Sequence, residues 1–431
     1  MINLKFNAVI YRLLQVCLVL LGMLWLQSSS SSPALAWMNI YVLEDFANYT
    51  WADIGVFLLQ NKLPLPPVIV FFELATYKLF GSTYLVTVLL YKFAFIAPYV
   101  IVLSFAKTSM HRLCAVFFIS CLFLFCAITI HRGNPQGYDV FLPCLLVLFL
   151  YCARSGVAAA SHASKLKYAV LAGVCLSLAE LTRPFMIYSV PLLIILMLLS
   201  YRGQDKTVRS KLMLGFLIPI ILISGSLHLS LYINHQQLNF SNHAGFNLHR
   251  AWSRLVPVPA LLEEPKLFQA NPERWENFNT KEHQLNSQRM QDAIFKHWLT
   301  QPVQSLSFGI NLLRAFMSAP TAIYEHKPTS IFLQSYQLLY QVLSGVMLLN
   351  CAIVLGGVGF LSKNKVQDLM ATDNLIILLG TSLLVIFAIS EKAEEARFVI
   401  STLPFVAAFA LSRINSRVAE SDNPHTITVT W

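Results

Sequence analysis

Apolar runs long enough to cross a bilayer recur from one end of this chain to the other, and no other feature limits its fold so strongly. They fall near residues 7–27, 83–106, 113–130, 139–153, 168–182, 185–200, 212–233, 335–361, 374–390 and 398–412. Several are shorter than the usual span of about twenty residues, which suits helices with little tilt or a locally thinned bilayer. A backbone inside hydrocarbon must satisfy its own hydrogen bonds, so the pattern predicts an all-α polytopic membrane protein with about ten transmembrane helices. The first run follows Lys5 and Arg12, as a signal peptide would. It is nevertheless long enough to span, and the serines at 28–32 make a poor cleavage site, so it reads as an uncleaved first helix.

Composition enters as a check. Hydrophobic residues make up 56%, charged residues 12%, and the mean hydropathy is +0.60. A soluble chain carries about twice that charged fraction. The net charge of +10 is scattered between the apolar runs, so it signals orientation and no nucleic-acid partner. With the N-terminus inside, the inner loops hold Lys107, Arg112, Arg154, Lys165, Lys167, Arg202, Lys206, Arg209, Lys211, Lys363, Lys365, Arg413 and Arg417. The short outer loops hold fewer: Arg132, Arg183, Lys392 and Arg397. That bias predicts both termini on the cytoplasmic side. The eight cysteines all lie within apolar runs, with no disulfide framework or CxxC metal site.

This topology divides the chain into four parts. Residues 1–233 form an N-terminal transmembrane region, whose first external loop covers 28–82. Residues 234–334 form a large external loop, 335–412 the last transmembrane helices, and 413–431 a polar cytoplasmic tail. Within the large loop, Met290 to Pro320 has apolar residues at helical spacing and reads as two amphipathic helices broken at Pro302, lying on the membrane.

The first external loop is the most informative stretch. It places Glu44 and Asp45 outside the first span, then Tyr49, a half-apolar segment, Pro64, Pro66 and Pro67, and a second helix ending at Gly81. Pro67 suits a first helical turn and Gly81 the residue past the last. This order (an aspartate, four residues to a tyrosine, a Pro-Pro pair, then Lys78-Leu79-Phe80-Gly81) resembles the first external loop of GT-C glycosyltransferases. The branch it resembles includes protein mannosyltransferases and the aminoarabinose transferase of lipid A.

That resemblance implies a GT-C-like fold and an inverting transferase whose donor is a polyprenyl-phosphate-linked sugar. The acceptor would be a lipid, a glycan or a protein, and the setting a bacterial inner membrane with the site facing the periplasm. In the resembling families the loop aspartate, here Asp45, faces the acceptor as base or orienting carboxylate. Removing a hydroxyl proton needs a carboxylate within hydrogen-bond reach. The commoner pattern is Asp-Glu, whereas Phe46 follows Asp45 here and the extra acid precedes it, so Glu44 shares the candidacy. Tyr49 belongs to the same constellation. Asp139, ahead of a leucine-rich run ending at Arg154, matches a second acid of the family, or else serves its helix N-terminus. Arg183, in a Thr-Arg-Pro motif between two apolar runs, and Arg397, in the last external loop, offer planar forks for phosphate oxygens. Their bland readings are ion pairs, Arg183 with Glu180 and Arg397 with Glu391 or Glu394. Arg132 either binds phosphate or snorkels at the interface. Lys92, deep in a span, faces a partner or an aqueous cavity.

His243 and His249 lack companion carboxylates or cysteines, so the sequence defines no metal site, and a divalent ion as cofactor stays open. No Gly-rich nucleotide fingerprint is present, which gives a cytosolic nucleotide-sugar donor no support. Two other classes fit the same hydropathy. An O-antigen polymerase or ligase combines similar spans with one large external loop and external arginines, without needing Asp45. A transporter or flippase would show inverted repeats, and no repeat stands out.

Overall fold

A computed structural model describes residues 49–60, 66–80, 93–94, 96–102, 137–183, 186–187, 189–201, 204–236, 244–256, 281–318, 331–358, 372–390, 401–406 and 408–409. Among these there is no strand. The helices are α1 (Trp51–Gln60), α2 (Pro67–Phe80), α3 (Gly137–Ala158), α4 (His162–Glu180), α5 (Val190–Ser200) and α6 (Lys206–Pro219). A π-helical turn, Ile220–Gly225, leads from α6 directly into α7 (Ser226–His235). Then follow α8 (Ala244–Trp252), α9 (Lys281–Thr300), α10 (Pro302–Ser318), α11 (Ile331–Val358) and α12 (Thr372–Ser390). Residues 96–102 and 401–406 are also helical.

Several expected boundaries move for identifiable reasons. α4 begins at His162 rather than 168 because Ser161 caps it, accepting from the Ser164 backbone N–H at 3.2 Å. α6 begins at Lys206 because basic residues continue the helix beyond its apolar part. The proposed break at Pro302 is real: α9 stops at Thr300 and Pro302 opens α10, where its missing N–H costs nothing. The expected spans near 7–27 and 113–130 lie outside the described residues.

α3 and α4 form a tight antiparallel hairpin, and α6 packs along α4. Small residues permit the close approach: Ala153, Ala169, Ala172 and Ala179 are buried. Gly173 lies against the Phe216 carbonyl of α6, where any side-chain carbon would collide. Successive contacts run in one direction, Gly215 beside Leu166, Phe216 beside Gly173, Ser224 bonded to Glu180, so α4 and the α6–α7 rod point the same way. α12 meets α3, α10 and α11, and places Leu379, Leu383, Leu384 and Phe387 in the common core.

The outside of this bundle is apolar too. Leu214, Ile218, Ile221, Leu222, Leu229 and Ile233 are exposed along α6–α7, and Leu338, Val342, Val346 and Leu349 along α11. Stripes of that length are stable against hydrocarbon and not against water. By length and composition, two helices among the described residues can cross a membrane, Phe141–Ala158 and Lys206–Asn234. Shorter apolar helices run over Gln337–Ala352 and Ile377–Ile389.

The described helices of the large insert pack on one another. α8 and α9 meet where Gly245 sits against the Ser287 backbone, and the Gly245 N–H donates to Ser287 Oγ at 3.0 Å. Trp252 ends α8 inside an aromatic nest of Trp298 and Phe308, with ring centroids at 5.1 and 5.2 Å. Its indole N–H donates to the Ile389 carbonyl at 2.9 Å, which fixes the insert to the end of α12.

Candidate functional site

The site is built where α3 begins, α4 ends and α7 runs, with α1 and α2 laid across it. α1 starts at a reciprocal cap. The Thr50 N–H and hydroxyl both donate to Asp53 Oδ2 at 2.7 Å, and the Asp53 N–H returns to Thr50 Oγ1 at 3.2 Å. These bonds from Thr50 hold the Asp53 carboxyl below its ordinary range, with the charge of Lys78 adding to the effect. Asp53 is thus committed to its cap. The Lys78 ammonium donates to the Tyr49 carbonyl, which closes the loop by tying the end of α2 to the start of α1.

α2 then spans two helix ends. Its Phe72 meets Phe141 edge-on, centroids 4.6 Å apart, two residues past Asp139 in the first turn of α3. Its Val68 packs onto a cluster of Leu181, Leu227 and Leu231, two residues short of Arg183. α1 in turn lies against α7. Sequence segments far apart, the Tyr49–Lys78 loop, the Asp139 end of α3 and the Arg183 end of α4, are brought to one end of the bundle.

Beneath them lies a buried polar cluster. α4 ends at Glu180, so Arg183 follows in a turn, its backbone N–H donating to the Glu180 carbonyl at 3.2 Å. Glu180 and Arg183 therefore do not sit on one face of a single helix. Arg183 is 6% exposed and Glu180 2%. The Glu180 carboxylate accepts from Ser224 Oγ of the π turn at 2.5 Å and meets His228 Nε2 of α7 at 2.8 Å. A π turn carries one extra residue and often marks a functional position. Here it delivers Ser224 and His228 to the same carboxylate.

Of the residues singled out from sequence, Tyr49 and Arg183 are described with their side chains, and Asp139 by its backbone. Asp45, Glu44, Lys92, Arg132 and Arg397 lie outside the described residues, as does His243. His249 sits in α8, where burial lowers its pKa and a backbone hydrogen bond with Val256 partly opposes this. Among the described residues no group of three His, Cys, Asp or Glu could hold a metal ion. Sequence reasoning missed Ser224, His228 and the tie made by Lys78. Only His228 carried a faint signal: it and Glu180 each lie inside an apolar run where ionisable groups are costly.

No family model matches the chain, and no curated protein matches it. Two solved structures do, both crystal structures of ArnT from Cupriavidus metallidurans. The one bound to undecaprenyl phosphate is 13% identical, covers 95% of this chain and 79% of its own, and superposes with a TM-score of 0.33. The apo form is 15% identical over 96% of this chain and 79% of its own, with a TM-score of 0.36. A likeness at this level fixes neither fold nor activity.

Proposed function

We propose that the chain is an integral-membrane, inverting glycosyltransferase of GT-C type, acting at the external face of a bacterial inner membrane. It moves a sugar from a polyprenyl-phosphate donor to a lipid, glycan or protein acceptor. The observation that carries this reading is one tie within the first loop: Lys78, from the Lys-Leu-Phe-Gly ending, donates to the carbonyl of Tyr49, the tyrosine of the resembling motif, so the start of α1 and the end of α2 are held together. That unit lies over the end of α4 from which Arg183 follows.

The chemistry follows from the parts. A lipid-linked donor enters sideways from the bilayer, with its phosphodiester at the interface. Arg183 and Arg397 hold the phosphate oxygens and offset the charge that develops as the sugar–phosphate bond breaks. Asp45 takes the proton of the acceptor hydroxyl as its oxygen attacks the anomeric carbon from the face opposite the phosphate. One carbon–oxygen bond forms, one breaks, the polyprenyl phosphate leaves with the electron pair, and configuration inverts.

The decisive experiment supplies purified protein with a panel of polyprenyl-phosphate sugars and identifies the products. Asp45→Asn keeps size and much of the hydrogen bonding but removes basicity, so turnover is expected to fall about 10²–10⁴-fold while the donor still binds. Glu44→Gln should be milder. Near wild-type turnover in both variants and in the double variant would sink the mechanism and favour a polymerase or ligase.

A further inference from the structure

We infer that the seam between α4 and α6 holds an anionic glycerophospholipid, with Lys167 and Lys211 on its phosphodiester. The inference is independent of the transferase reading, since this seam begins at the end of the bundle away from Arg183. Three observations carry it. The two helices meet in a shallow groove. Leu166 lies over Gly215, where a β-carbon would come within 2.6 Å of its Cδ1 and 3.4 Å of Val170 Cγ2. Apolar side chains stay exposed on both banks, Leu166, Val170 and Leu171 on α4 and Leu214 and Ile218 on α6. Each bank is headed by an exposed lysine: Lys167 shares a helix face with Val170 and Leu171, and Lys211 with Leu214 and Ile218. Neither ammonium has a hydrogen bond or ion pair among the described residues.

Charge selects the ligand. Lys165 is bonded to Gln204, and Arg154 has contacts of its own, but Lys206 and Arg209 in the first turn of α6 add to the field of Lys167 and Lys211. The acids at this end are few. Asp205 precedes α6 by one residue and lies more than a helical turn before Lys211. Asp373 is in the first turn of α12, which packs on α3. In the proposed topology the same side also receives Asp368, Glu420 and Asp422, outnumbered by Arg202, Lys363, Lys365 and the other inner cations. The positive-inside bias accounts for cations in loops. It does not call for two lysines within helices, heading the two banks of one apolar groove. Lysine stems lie along such a surface while their ammonium groups reach the headgroup level. Basic pockets between helices on this side of a membrane are suited to anionic headgroups, whereas a zwitterionic headgroup brings a cation of its own into the positive field.

The test titrates the full chain, in neutral detergent, with dioleoyl-phosphatidylglycerol or dioleoyl-phosphatidylcholine and counts bound lipid by native mass spectrometry. Phosphatidylglycerol is expected to bind about tenfold more tightly. Lys167→Gln with Lys211→Gln should lower its affinity by about tenfold or more and leave phosphatidylcholine binding unchanged. Lys167→Arg with Lys211→Arg keeps both charges and should bind as wild type does. Arg413→Gln with Arg417→Gln removes the same charge from the tail and should change little. On the wild-type chain, where no variant has to fold, phosphatidylglycerol should slow acetylation of Lys167 and Lys211 by acetic anhydride and phosphatidylcholine should not. Equal binding of the two lipids, an equal loss in the tail variant, or no protection of these two lysines overturns the inference and leaves only a diffuse positive field at this end.

Discussion

Arg183 shows why residue type matters more than charge at this site. It stands just past a helix end, buried, next to a carboxylate that Ser224 and His228 already serve. Lysine at that position would keep the charge and lose the bidentate fork. Arg183→Lys is therefore expected to weaken apparent donor affinity by about tenfold or more, read from the KM for the polyprenyl-phosphate sugar. Unchanged affinity there and in Arg397→Lys would remove both arginines from the phosphate site. His249 makes a prediction of a different kind. Burial lowers its pKa from 6.5 in the folded chain, so the unfolded chain binds the proton more readily. The stability it contributes is fully present above pH 6.5 and is lost as pH falls through the lowered value. The melting temperature in detergent should drop on acidification below that point, and less so in His249→Gln.

At the scale of elements, the sequence was legible where periodicity and punctuation act locally. Pro67 opened α2, whose described residues end at Phe80, and Pro302 opened α10 because proline fits a first helical turn without losing a hydrogen bond. Hydropathy placed α3, α11 and α12 within a few residues. What it could not place were the links between segments. Glu180 and His228 are separated by 48 positions, and Tyr49 and Lys78 by 29, so no local pattern announces either bond. Nor does a run of apolar residues show that one turn of it is π-helical. The Lys78 tie can be tested directly. Lys78→Met removes the donor and keeps the aliphatic stem, so stability should change by roughly 1 kcal/mol or less. Limited proteolysis should nonetheless cut the first loop sooner while the rest of the chain resists, and turnover should fall with the loop's order. Equal cleavage rates would show that α1 and α2 keep their place without it.

Across the whole molecule, two ends of the bundle differ in kind. Arg154, Lys165, Lys167, Lys206, Arg209 and Lys211 gather at the end where α3 stops and α4 and α6 start. Lys165 also bonds Gln204 there, at 3.0 Å. Asp139, Arg183, His228 and the closed loop gather at the other. Along α6–α7 the distance from the basic cluster to His228 is roughly 25–33 Å at 1.5 Å per residue, close to the bilayer core of about 30 Å. In the proposed topology the positive end faces the cytoplasm, following the usual bias, and the site lies outside. A single cysteine at position 270 on a cysteine-free background should react with an impermeant label from the external side alone. Labelling only from the cytoplasm would invert the topology and move the site to the wrong face.

The π turn at Ile220–Gly225 ends up governing how the two halves of this rod are phased. A π turn is an α-helix with one residue inserted, and each residue of an α-helix advances the side chains by about 100°. Deleting any one of those six positions would leave a helix still long enough to cross the membrane. Everything after it would be turned by about a quarter of a circle or more. His228 would swing off Glu180, Leu227 and Leu231 off Leu181, and α1 would lose the face it rests on. The reading frame of one helix, set by a single residue, thus decides whether this protein is an anchored site or merely an anchor.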